Sequence, residues 1–320
     1  MSDITIERSL CIIEMLLGHR PDRLEEFRPR VGGNDSQCFR MWEDGNMMLL
    51  QVKRRAGTPF GVHFHSQIKK AGIPAPELVA FSKDAGPNGE AAAIWEWIDG
   101  EPAEWGPNEA CPYDEAELGE LPRRIHDLEF EGAFGFLGDD SSNRSYAYAP
   151  DIGPVSTSWP EFFHCDEAAH RYLDRGYLDQ HEADILSSLP DRLCGELSRE
   201  KPRLLHMGDI MHSGNLIVGP TAGRIAAVID YSESLAGDPR WELAWFDYYF
   251  EQFPFYGVDF DMDRFRAAYG TDHDSTDILG RFYLLAILVF EKLLFFDPHT
   301  PKGRWAIKTA KSILSSFDGK

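Results

Sequence analysis

The sequence predicts an α+β fold with two lobes, a small β-rich N-terminal lobe and a larger, mainly helical C-terminal lobe. Short apolar runs separated by turn residues dominate the N-terminal third of the chain. The Asp-Gly-Glu-Pro segment at 99–102 is typical of a chain passing from one folded unit to another. Beyond it, apolar residues recur mainly at helical spacing. We therefore expect lobes at residues 1–98 and 99–320.

Strands are expected in the first part of the N-terminal lobe. Residues 25–42 fit two strands around a Gly-Gly-Asn-Asp-Ser turn at 32–36. Asp44 and Gly45 are residues that a tight hairpin turn prefers, because both tolerate a positive φ. They lead into an apolar strand at 47–53.

A helix and a buried strand are expected next. Thr58 fits the N-cap of a helix, and Pro59 fits its first turn. Apolar residues recur at helical spacing through residues 60–68, and Gly72 marks the helix end. The apolar run at 91–98 then predicts a strand that leads into the lobe boundary.

The C-terminal lobe is predicted to consist mostly of helices with one β-hairpin. The candidates, in chain order, are helices at 121–128 and 161–173, hairpin strands at 216–218 and 225–229, and a long apolar helix at 276–296 capped by Ser275 or Thr276.

The composition carries a large negative charge. The 32 Lys and Arg residues against 53 Asp and Glu residues give a formal net charge of −21. Nucleic acid is therefore not expected as a partner, because phosphate binding needs clustered cations. The charge favours a cationic ligand, and it also fits an acidic surface that only keeps the protein soluble.

The sequence indicates a cytoplasmic protein that does not bind membranes. Its longest apolar run, 282–290, is far shorter than the about 20 residues of a membrane span. The N-terminus carries charges early and resembles no signal peptide. Five dispersed cysteines without a CxxC pair fit a reduced protein without structural zinc. The oligomeric state stays open.

The densest polar segment, 204–238, predicts a metal-dependent site. Asp209 and Asn215 precede the predicted hairpin, and Asp230 follows it. Because the outer ends of paired strands meet, Asn215 and Asp230 are expected to lie together with Asp209 on a loop beside them. Such oxygen donors suit Mg²⁺, and the remaining carboxylate can take a proton from a hydroxyl.

Other segments supply the parts that phosphoryl transfer requires. Backbone N–H groups of the turn that comprises Gly32, Gly33, Asn34, Asp35 and Ser36 can cover phosphates. Lys53, at a strand end, can reach the α- and β-phosphates. The backbone at Glu96 and Ile98, beside the lobe boundary, can pair with adenine.

Taken together, these segments resemble the aminoglycoside phosphotransferase family, which is related to the protein kinases. The resemblance covers nearly the whole chain, and the segment Ile-Asp-Tyr-Ser-Glu at 229–233 followed by Gly-Asp at 237–238 is similar to the hygromycin B phosphotransferase branch. The other matching segments are 33–36, Lys53, 72–76, 95–100, 125–126 and 206–215.

The resemblance implies a protein-kinase-like fold, ATP (or GTP) and Mg²⁺ as cofactors, and a role for each matching residue. Asp209 would be the catalytic base, and Asn215 and Asp230 would be the Mg²⁺ ligands. Lys53 and the turn at 32–36 would hold the phosphates, and Glu96 and Ile98 would contact adenine. The N-terminal lobe would therefore bind nucleotide, and the C-terminal lobe would carry catalysis and the substrate.

The sequence departs from the family pattern in two places. The family usually has His-Gly-Asp, four residues and then Asn, whereas here one extra residue precedes Asp209 and five residues separate it from Asn215. The family often has a glutamate that pairs with the strand lysine, yet residues 60–70 hold no acid. His63 or His65 occupies the expected position.

Three functions are compatible with these observations. The first is phosphorylation of a cationic aminocyclitol antibiotic such as hygromycin B, which would give antibiotic resistance. Acids after the metal site could line its cleft: Glu233, Glu242, Asp247, Glu251, Asp259, Asp261 and Asp263. The second is phosphorylation of a neutral metabolite such as a sugar or an amino alcohol. The third is a non-catalytic nucleotide-binding protein, motivated by the two departures.

Two residues are candidates for substrate contact, and two histidines have structural interpretations. Glu233 closely follows the metal site, and Asp238 precedes Pro239. For Asp238, capping of the following helix competes with substrate contact. His206 is expected to brace the loop that carries Asp209, and His126 is expected in the core.

Overall fold

The computed structural model describes residues 4–28, 36–53, 58–86, 89–103, 112–140, 143–144, 156, 158–198, 201–206, 214–220, 224–270 and 276–318. Within these ranges, the N-terminal part is rich in strands and the C-terminal part is mainly helical, which confirms the predicted α+β class. None of the described helices combines the length and apolarity needed to cross a membrane.

The described residues before the lobe boundary form an antiparallel five-stranded sheet of order β1-β2-β3-β5-β4. Its elements are α1 (Ile6–Leu17), β1 (Arg23–Phe27), β2 (Ser36–Glu43), β3 (Asn46–Lys53), α2 (Val62–Lys70), β4 (Leu78–Ser82) and β5 (Ala92–Glu96). Apolar side chains of α1 and of one sheet face form a buried core. On the other face, α2 and β5 pack into a core shared with the C-terminal lobe.

The predicted hairpin at Asp44 and Gly45 joins β2 to β3. Glu43 pairs with Asn46, and both turn residues have positive φ, 49° and 80°. The register carries through to the far end of the hairpin, where Ser36 lies opposite Lys53. The last residue of the predicted turn at 32–36 is therefore directly beside the lysine.

The start of α2 differs from the prediction. The helix begins at Val62 after Gly61, which has a φ of 71°, so Thr58 is not its N-cap. Asp139 of the C-terminal lobe takes the capping role, since its Oδ1 accepts hydrogen bonds from the backbone N–H groups of Phe60 (2.7 Å) and Val62 (3.3 Å). An acceptor distant in sequence replaces the local one.

The C-terminal lobe consists of helices around two small antiparallel sheets. Its described strands are β6 (Glu101–Pro102), β7 (Gly135–Leu137), β8 (Asn143–Arg144), β9 (Arg203–Leu205), β10 (Leu216–Val218), β11 (Ile225–Val228) and β12 (Leu235–Gly237). Its described α-helices are α3 (Glu115–His126), α4 (Cys165–Asp174), α5 (Gln180–Arg192), α6 (Cys194–Leu197), α7 (Pro239–Asp247), α8 (Met262–Tyr269), α9 (Ile278–Ile287), α10 (Leu293–Phe295) and α11 (Pro301–Ser315).

The predicted hairpin of β10 and β11 is confirmed, and it pairs with the segment that connects the lobes. Leu216 lies opposite Val228 in an antiparallel pair. The two-residue strand β6, within the predicted boundary, adds to the other side of β10. Ala103 continues this pairing, because its N–H donates to Leu216 O and its carbonyl accepts from Gly214 N–H. The connection between the lobes is thus part of the hairpin sheet.

The long apolar helix predicted at 276–296 is divided into three parts. Asp277 caps α9 in place of the predicted Thr276, because its Oδ1 accepts from Gly280 N–H at 2.6 Å, and the other predicted cap, Ser275, lies outside the described residues. A π-helical turn, Leu288–Lys292, then separates α9 from α10. A second π-helical turn, Tyr248–Gln252, follows α7. Such turns are uncommon and are found frequently at functional sites.

Candidate active site

Asn215 and Asp230 lie together at the outer end of the β10–β11 hairpin, as predicted. Asn215 directly precedes β10, Asp230 follows β11 after one intervening residue, and the N–H of that residue, Ile229, donates to the carbonyl of Asn215 at 2.8 Å. Asp230 has a φ of 57°, in the left-handed region that few residues other than Gly, Asn and Asp adopt. Its Oδ1 accepts a hydrogen bond of 2.8 Å from the Ser232 hydroxyl.

The Asp230 carboxyl is held in its ionised form. Burial acts to raise its pKa, but the Lys53 ammonium and the hydrogen bonds from Ser232 outweigh that effect, so the pKa lies below its usual range. The residue nevertheless remains open to solvent. An ionised and accessible carboxylate beside an amide side chain is a suitable donor pair for a hard cation.

Lys53 is buried at the end of β3 and faces this carboxylate across the lobes. Its side chain passes over the ring of Phe60, with Nζ 4.9 Å from the ring centroid. Residues 60–70 hold no acid, and Lys53 instead lowers the pKa of an acid from the C-terminal lobe, Asp230.

The two histidines at the expected position of that acid contact other groups. His65 Nε2 hydrogen-bonds to the carbonyl of Pro76 at 2.7 Å, and the His63 ring packs against Phe130. Burial is the main cause that lowers the pKa of both rings. Both histidines therefore stay neutral at neutral pH and do not replace a carboxylate.

The predicted phosphate-covering turn is described only at Ser36, since Gly32, Gly33, Asn34 and Asp35 lie outside the described residues. Ser36 is buried opposite Lys53. Its hydroxyl accepts from Gln51 Nε2 at 3.0 Å, and Gln51 Oε1 in turn accepts from Trp95 Nε1 at 3.1 Å. These contacts fix the end of the turn on the sheet.

Glu96 and Ile98 lie where β5 runs into the connection between the lobes. The side chain of Glu96 accepts a 3.0 Å hydrogen bond from Glu77 N–H, and its own N–H donates to Glu77 O at 2.8 Å. The Glu96 carboxylate is thus directed at β4. Ile98 follows two residues later and is half-buried. A role in adenine binding stays a prediction for both.

Asp209 lies outside the described residues, but the residue at which its loop begins is well anchored. The N–H of His206 donates to Glu242 Oε2 at 3.0 Å. The same oxygen accepts from His126 Nε2 at 2.7 Å, and Tyr269 OH contacts His126 Nδ1 at 2.7 Å. Glu242 is fully buried, so its carboxylate acts on the protein and not on a ligand.

This network changes the interpretation of several acids predicted to line a cleft. Glu242 binds the His206 backbone and the His126 ring, Asp247 and Glu251 both bind the Arg266 guanidinium, and Asp261 caps α8. Sequence reasoning missed the Glu242–His126 contact, because 116 residues separate the two partners.

Aromatic rings connect the two lobes behind the metal-ligand candidates. The His206 ring is buried between Phe64 of α2, at 5.8 Å between centroids, and Tyr231, at 6.0 Å. Tyr231 also contacts His65 (5.3 Å) and Trp95 (6.1 Å). Burial lowers the pKa of His206 and keeps the ring neutral in the core, whereas its bracing of the loop that carries Asp209 stays a prediction.

The two candidate substrate residues have different surroundings. Asp238 is buried, caps α7 through Arg240 N–H at 2.9 Å and accepts from Tyr283 OH at 2.7 Å. Its geometry favours the capping interpretation. Glu233 is half-buried in the turn after Asp230, and its carboxyl interacts with that of Glu291. No sequence pattern marked Glu291, which lies between the apolar segments 282–290 and 293–296.

Comparison with known proteins extends the similarity to the whole chain. A family described as "phosphotransferase enzyme family" (APH) matches residues 26–279. No curated protein matches the sequence. Among solved structures, a thermostable mutant of aminoglycoside phosphotransferase APH(4)-Ia, in ternary complex with AMP-PNP and hygromycin B, is 18% identical. The alignment covers 99% of this chain and 100% of that one, with a TM-score of 0.62.

Two further structures share the fold at lower identity. A putative fructosamine-3-kinase from Haemophilus somnus is 13% identical, with 98% and 97% of the chains covered and a TM-score of 0.59. Spectinomycin phosphotransferase APH(9)-Ia, in complex with ADP and spectinomycin, is 14% identical, with 99% of each chain covered and a TM-score of 0.56. The predicted kinase-like fold is thus confirmed.

Proposed function

Since the chain belongs to the phosphotransferase enzyme family, and is therefore a kinase-like phosphotransferase, we propose that it transfers the γ-phosphate of ATP to a hydroxyl group of a small molecule. The observation that carries this proposal is the pair formed by Lys53 and Asp230. A buried ammonium at the end of β3 faces an ionised, accessible carboxylate at the end of the hairpin. Phosphoryl transfer needs a cation that holds the phosphate groups and an acid that holds Mg²⁺ beside them, and this pair would supply both.

The donor atoms at the hairpin end fit Mg²⁺. Asp230 would supply an ionised oxygen and Asn215 an amide oxygen, both of the hard type that this ion prefers. The ion would add positive charge on the phosphate oxygens. On the protein side, Lys53 would bind the α- and β-phosphates, the turn at 32–36 would cover them, and Glu96 and Ile98 would contact adenine. GTP is the alternative donor.

Asp209 is the residue of this chain that we propose to take part in the chemical step. Its carboxylate would accept the proton of the substrate hydroxyl as that oxygen attacks the γ-phosphorus. Positioning would come from the Glu242 carboxylate, because it fixes the N–H of His206, three residues earlier. Because His206 is buried and neutral, its ring adds no charge beside the Glu242 carboxylate.

For the acceptor, we propose a cationic aminocyclitol antibiotic such as hygromycin B, so that the biological role would be resistance. The net charge of −21 and the half-buried Glu233 beside the metal-ligand candidates support a cationic substrate. The APH(4)-Ia complex binds hygromycin B, and the spectinomycin phosphotransferase binds spectinomycin. Phosphorylation of a neutral metabolite is the second candidate, supported by the similarity to a putative fructosamine-3-kinase.

We further propose that residues 1–98 form the nucleotide-binding lobe and residues 99–320 the catalytic and substrate-binding lobe, in a cytoplasmic protein. The pairing of β6 with β10 supports this boundary, because it places Glu101 with the C-terminal elements.

The substitution Asp209→Asn tests the proposal after a screen of nucleotide consumption with aminoglycosides, sugars and amino alcohols. The amide keeps the shape but accepts no proton, so kcat should fall by about 10²–10⁴ while ATP affinity measured by calorimetry changes little. Asp191→Asn, at an exposed position of α5, is the matched control and should retain activity.

Two results would contradict parts of the proposal. Wild-type kcat in Asp209→Asn would remove Asp209 as the base. Tight ATP binding by the wild type, without turnover on any acceptor, would support the non-catalytic alternative.

A further inference from the structure

Asp139, in the loop after β7, holds the backbone at the start of α2. Its Oδ1 accepts hydrogen bonds from the N–H groups of Phe60 (2.7 Å) and Val62 (3.3 Å). A carboxylate at this end of a helix is favourable, because the first N–H groups have no partner within the helix. Since Asp139 belongs to the C-terminal lobe, these bonds also fix where the start of α2 lies against that lobe.

The ring of Phe60 connects this anchored backbone with Lys53. Phe60 is 2% exposed, and its ring centroid lies 4.9 Å from Lys53 Nζ. The ring of Phe81 on β4 packs edge-on against it, at 5.5 Å between centroids. An ammonium group is attracted to the face of an aromatic ring. The position of the Phe60 ring therefore helps to determine where the ammonium of Lys53 is held.

The loop that carries Asp139 is also bonded to the turn that carries Asp230. The last residue of β7, Leu137, lies two residues before Asp139, and its N–H donates to Ser234 O at 2.9 Å. The N–H of Ser234 donates in turn to Tyr231 O at 3.2 Å. Backbone bonds therefore connect Asp139 with the residue next to Asp230.

We propose that Asp139 is a positioning residue, which acts through Phe60 to hold Lys53 at a fixed distance from Asp230. The contacts run from the Asp139 carboxylate to the Phe60 backbone, and from the Phe60 ring to the Lys53 ammonium. Phosphate binding by Lys53 is part of the proposed function, on which this inference rests. The hold of Asp139 on Lys53 can be measured independently of that function.

Four substitutions separate the contacts. Asp139→Ala removes the acceptor, whereas Asp139→Asn keeps an Oδ1 that can accept the same N–H groups. Phe60→Leu leaves the backbone bond in place and removes the ring. Asp140→Ala is the matched control, because it removes the neighbouring acid, whose exposed side chain forms an ion pair with Lys83 at 3.5 Å.

The first measurement is the rate at which N-acetoxysuccinimide acetylates Lys53 in the nucleotide-free protein, followed by peptide mass spectrometry. Lys53 is 5% exposed, so it should react slowly in the wild type. The loss of a helix cap should raise this rate by about 5- to 30-fold in Asp139→Ala. Asp139→Asn should stay within about threefold of the wild type, since Asn caps nearly as well as Asp. Asp140→Ala should leave the rate unchanged.

The Phe60→Leu background shows whether the effect passes through the ring. Lys53 should already react faster in Phe60→Leu, and the addition of Asp139→Ala should cause no further increase. If Asp139 only stabilised the fold, Asp139→Ala would raise the rate by the same factor in both backgrounds. Should Asp139→Ala not fold, Phe60→Leu alone is decisive, because a wild-type rate at Lys53 in this variant would overturn the inference.

Calorimetry with Mg²⁺ and ATP connects the position of Lys53 with its proposed role. We expect ATP affinity to fall by about 5- to 30-fold in Asp139→Ala and to recover in Asp139→Asn. In a Lys53→Ala background, Asp139→Ala should cause no further loss, because Asp139 acts on the nucleotide only through this lysine.

The remaining outcomes distinguish the inference from the proposed function. A wild-type acetylation rate in Asp139→Ala, or an equal increase with and without the Phe60 ring, would overturn the inference. A further loss of ATP affinity in the Lys53→Ala background would overturn it as well. A rate that depends on Asp139 and Phe60, with ATP affinity unchanged in both Asp139→Ala and Lys53→Ala, would support the positioning role and contradict phosphate binding by Lys53.

Discussion

At the scale of single residues, the backbone at Asp230 is as informative as its carboxylate. Asp44 and Asp230 both have positive φ among the described residues. Asp44 lies in a hairpin turn that requires this conformation. Asp230 adopts it two residues after the end of β11, where the Lys53 ammonium acts on its carboxyl. The unusual backbone therefore accompanies the proposed metal-binding function.

The variants Asp230→Asn and Asp230→Ala should separate the contribution of the Asp230 carboxylate from that of its backbone conformation. Asn tolerates the left-handed region, so the unfolding free energy should fall only by the lost attraction between the carboxylate and Lys53, while the Mg²⁺ concentration for half-maximal activity rises. Ala should lose about 1–2 kcal/mol of stability in addition, because the conformation is strained for it. Denaturant unfolding and a Mg²⁺ titration measure the two effects. An unchanged Mg²⁺ requirement in Asp230→Asn would remove this residue from the metal site.

Residues of the site could be predicted where a single local element, such as a hairpin, places them close to each other. Asn215 and Asp230 flank one hairpin, so a pattern of two short strands sufficed to place them. Glu242 and His126 meet only through tertiary packing, and Glu242 could not be distinguished from the other acids near it. Glu291 was not predicted because it lies among apolar residues in the sequence. The burial that results from this position is the main cause of its raised pKa.

At the scale of elements, the start of α2 is formed by the other lobe. The Asp139 carboxylate accepts the N–H groups of Phe60 and Val62, and Gly61 lies against the backbone of Tyr231. A Cβ atom on Gly61 would lie 2.2 Å from Tyr231 O. The helix therefore meets the segment that carries Asp230 without space for a side chain.

The substitution Gly61→Ala should lower the free energy of unfolding more than the same substitution at Gly176. Gly176 is the matched control, because its φ of 69° resembles the 71° of Gly61 but a Cβ there would meet nothing within 4 Å. Gly176→Ala should lose only about 1–2 kcal/mol from the strained conformation. Gly61→Ala should lose more and should also lower kcat, since it displaces Tyr231, next to Asp230. Equal losses of stability with unchanged kcat would show that the close approach is unimportant.

Hairpins marked by turn residues in the sequence were predicted more accurately than the positions at which helices begin. The hairpins at Asp44 and at 216–228 followed from turn residues, and the structure confirms both. The start of α2 could not be derived, because Thr58 offered a local cap while the acceptor in use is Asp139. The π-helical turns also lack a local pattern, since an apolar run fits either helical geometry.

At the scale of the whole molecule, the net charge of −21 opposes folding through self-repulsion. Ion pairs on the surface, such as that of Arg264 with Asp114 at 2.6 Å, act in the opposite direction. Both effects are screened over about 10 Å at 0.1 M salt. Because exposed pairs each contribute little, the repulsion among unpaired acids should dominate.

Raising NaCl from about 20 mM to about 200 mM should therefore increase the Tm by about 1–2 °C, which corresponds to about 1 kcal/mol for a chain of this size. Differential scanning calorimetry measures the change, and KCl should have the same effect because only ionic strength matters. A fall in Tm would show that ion pairs outweigh the repulsion.

The cap that Asp139 gives to α2 also has a consequence for biosynthesis. Asp139 lies 79 residues after Phe60. At roughly 5–20 residues per second, a ribosome makes this acceptor roughly 4–16 s after the helix start. The lobe that is synthesised first therefore cannot acquire its final form until part of the second lobe has been translated. Folding of the N-terminal lobe is thus completed only after the segment that carries Asp139 has been synthesised.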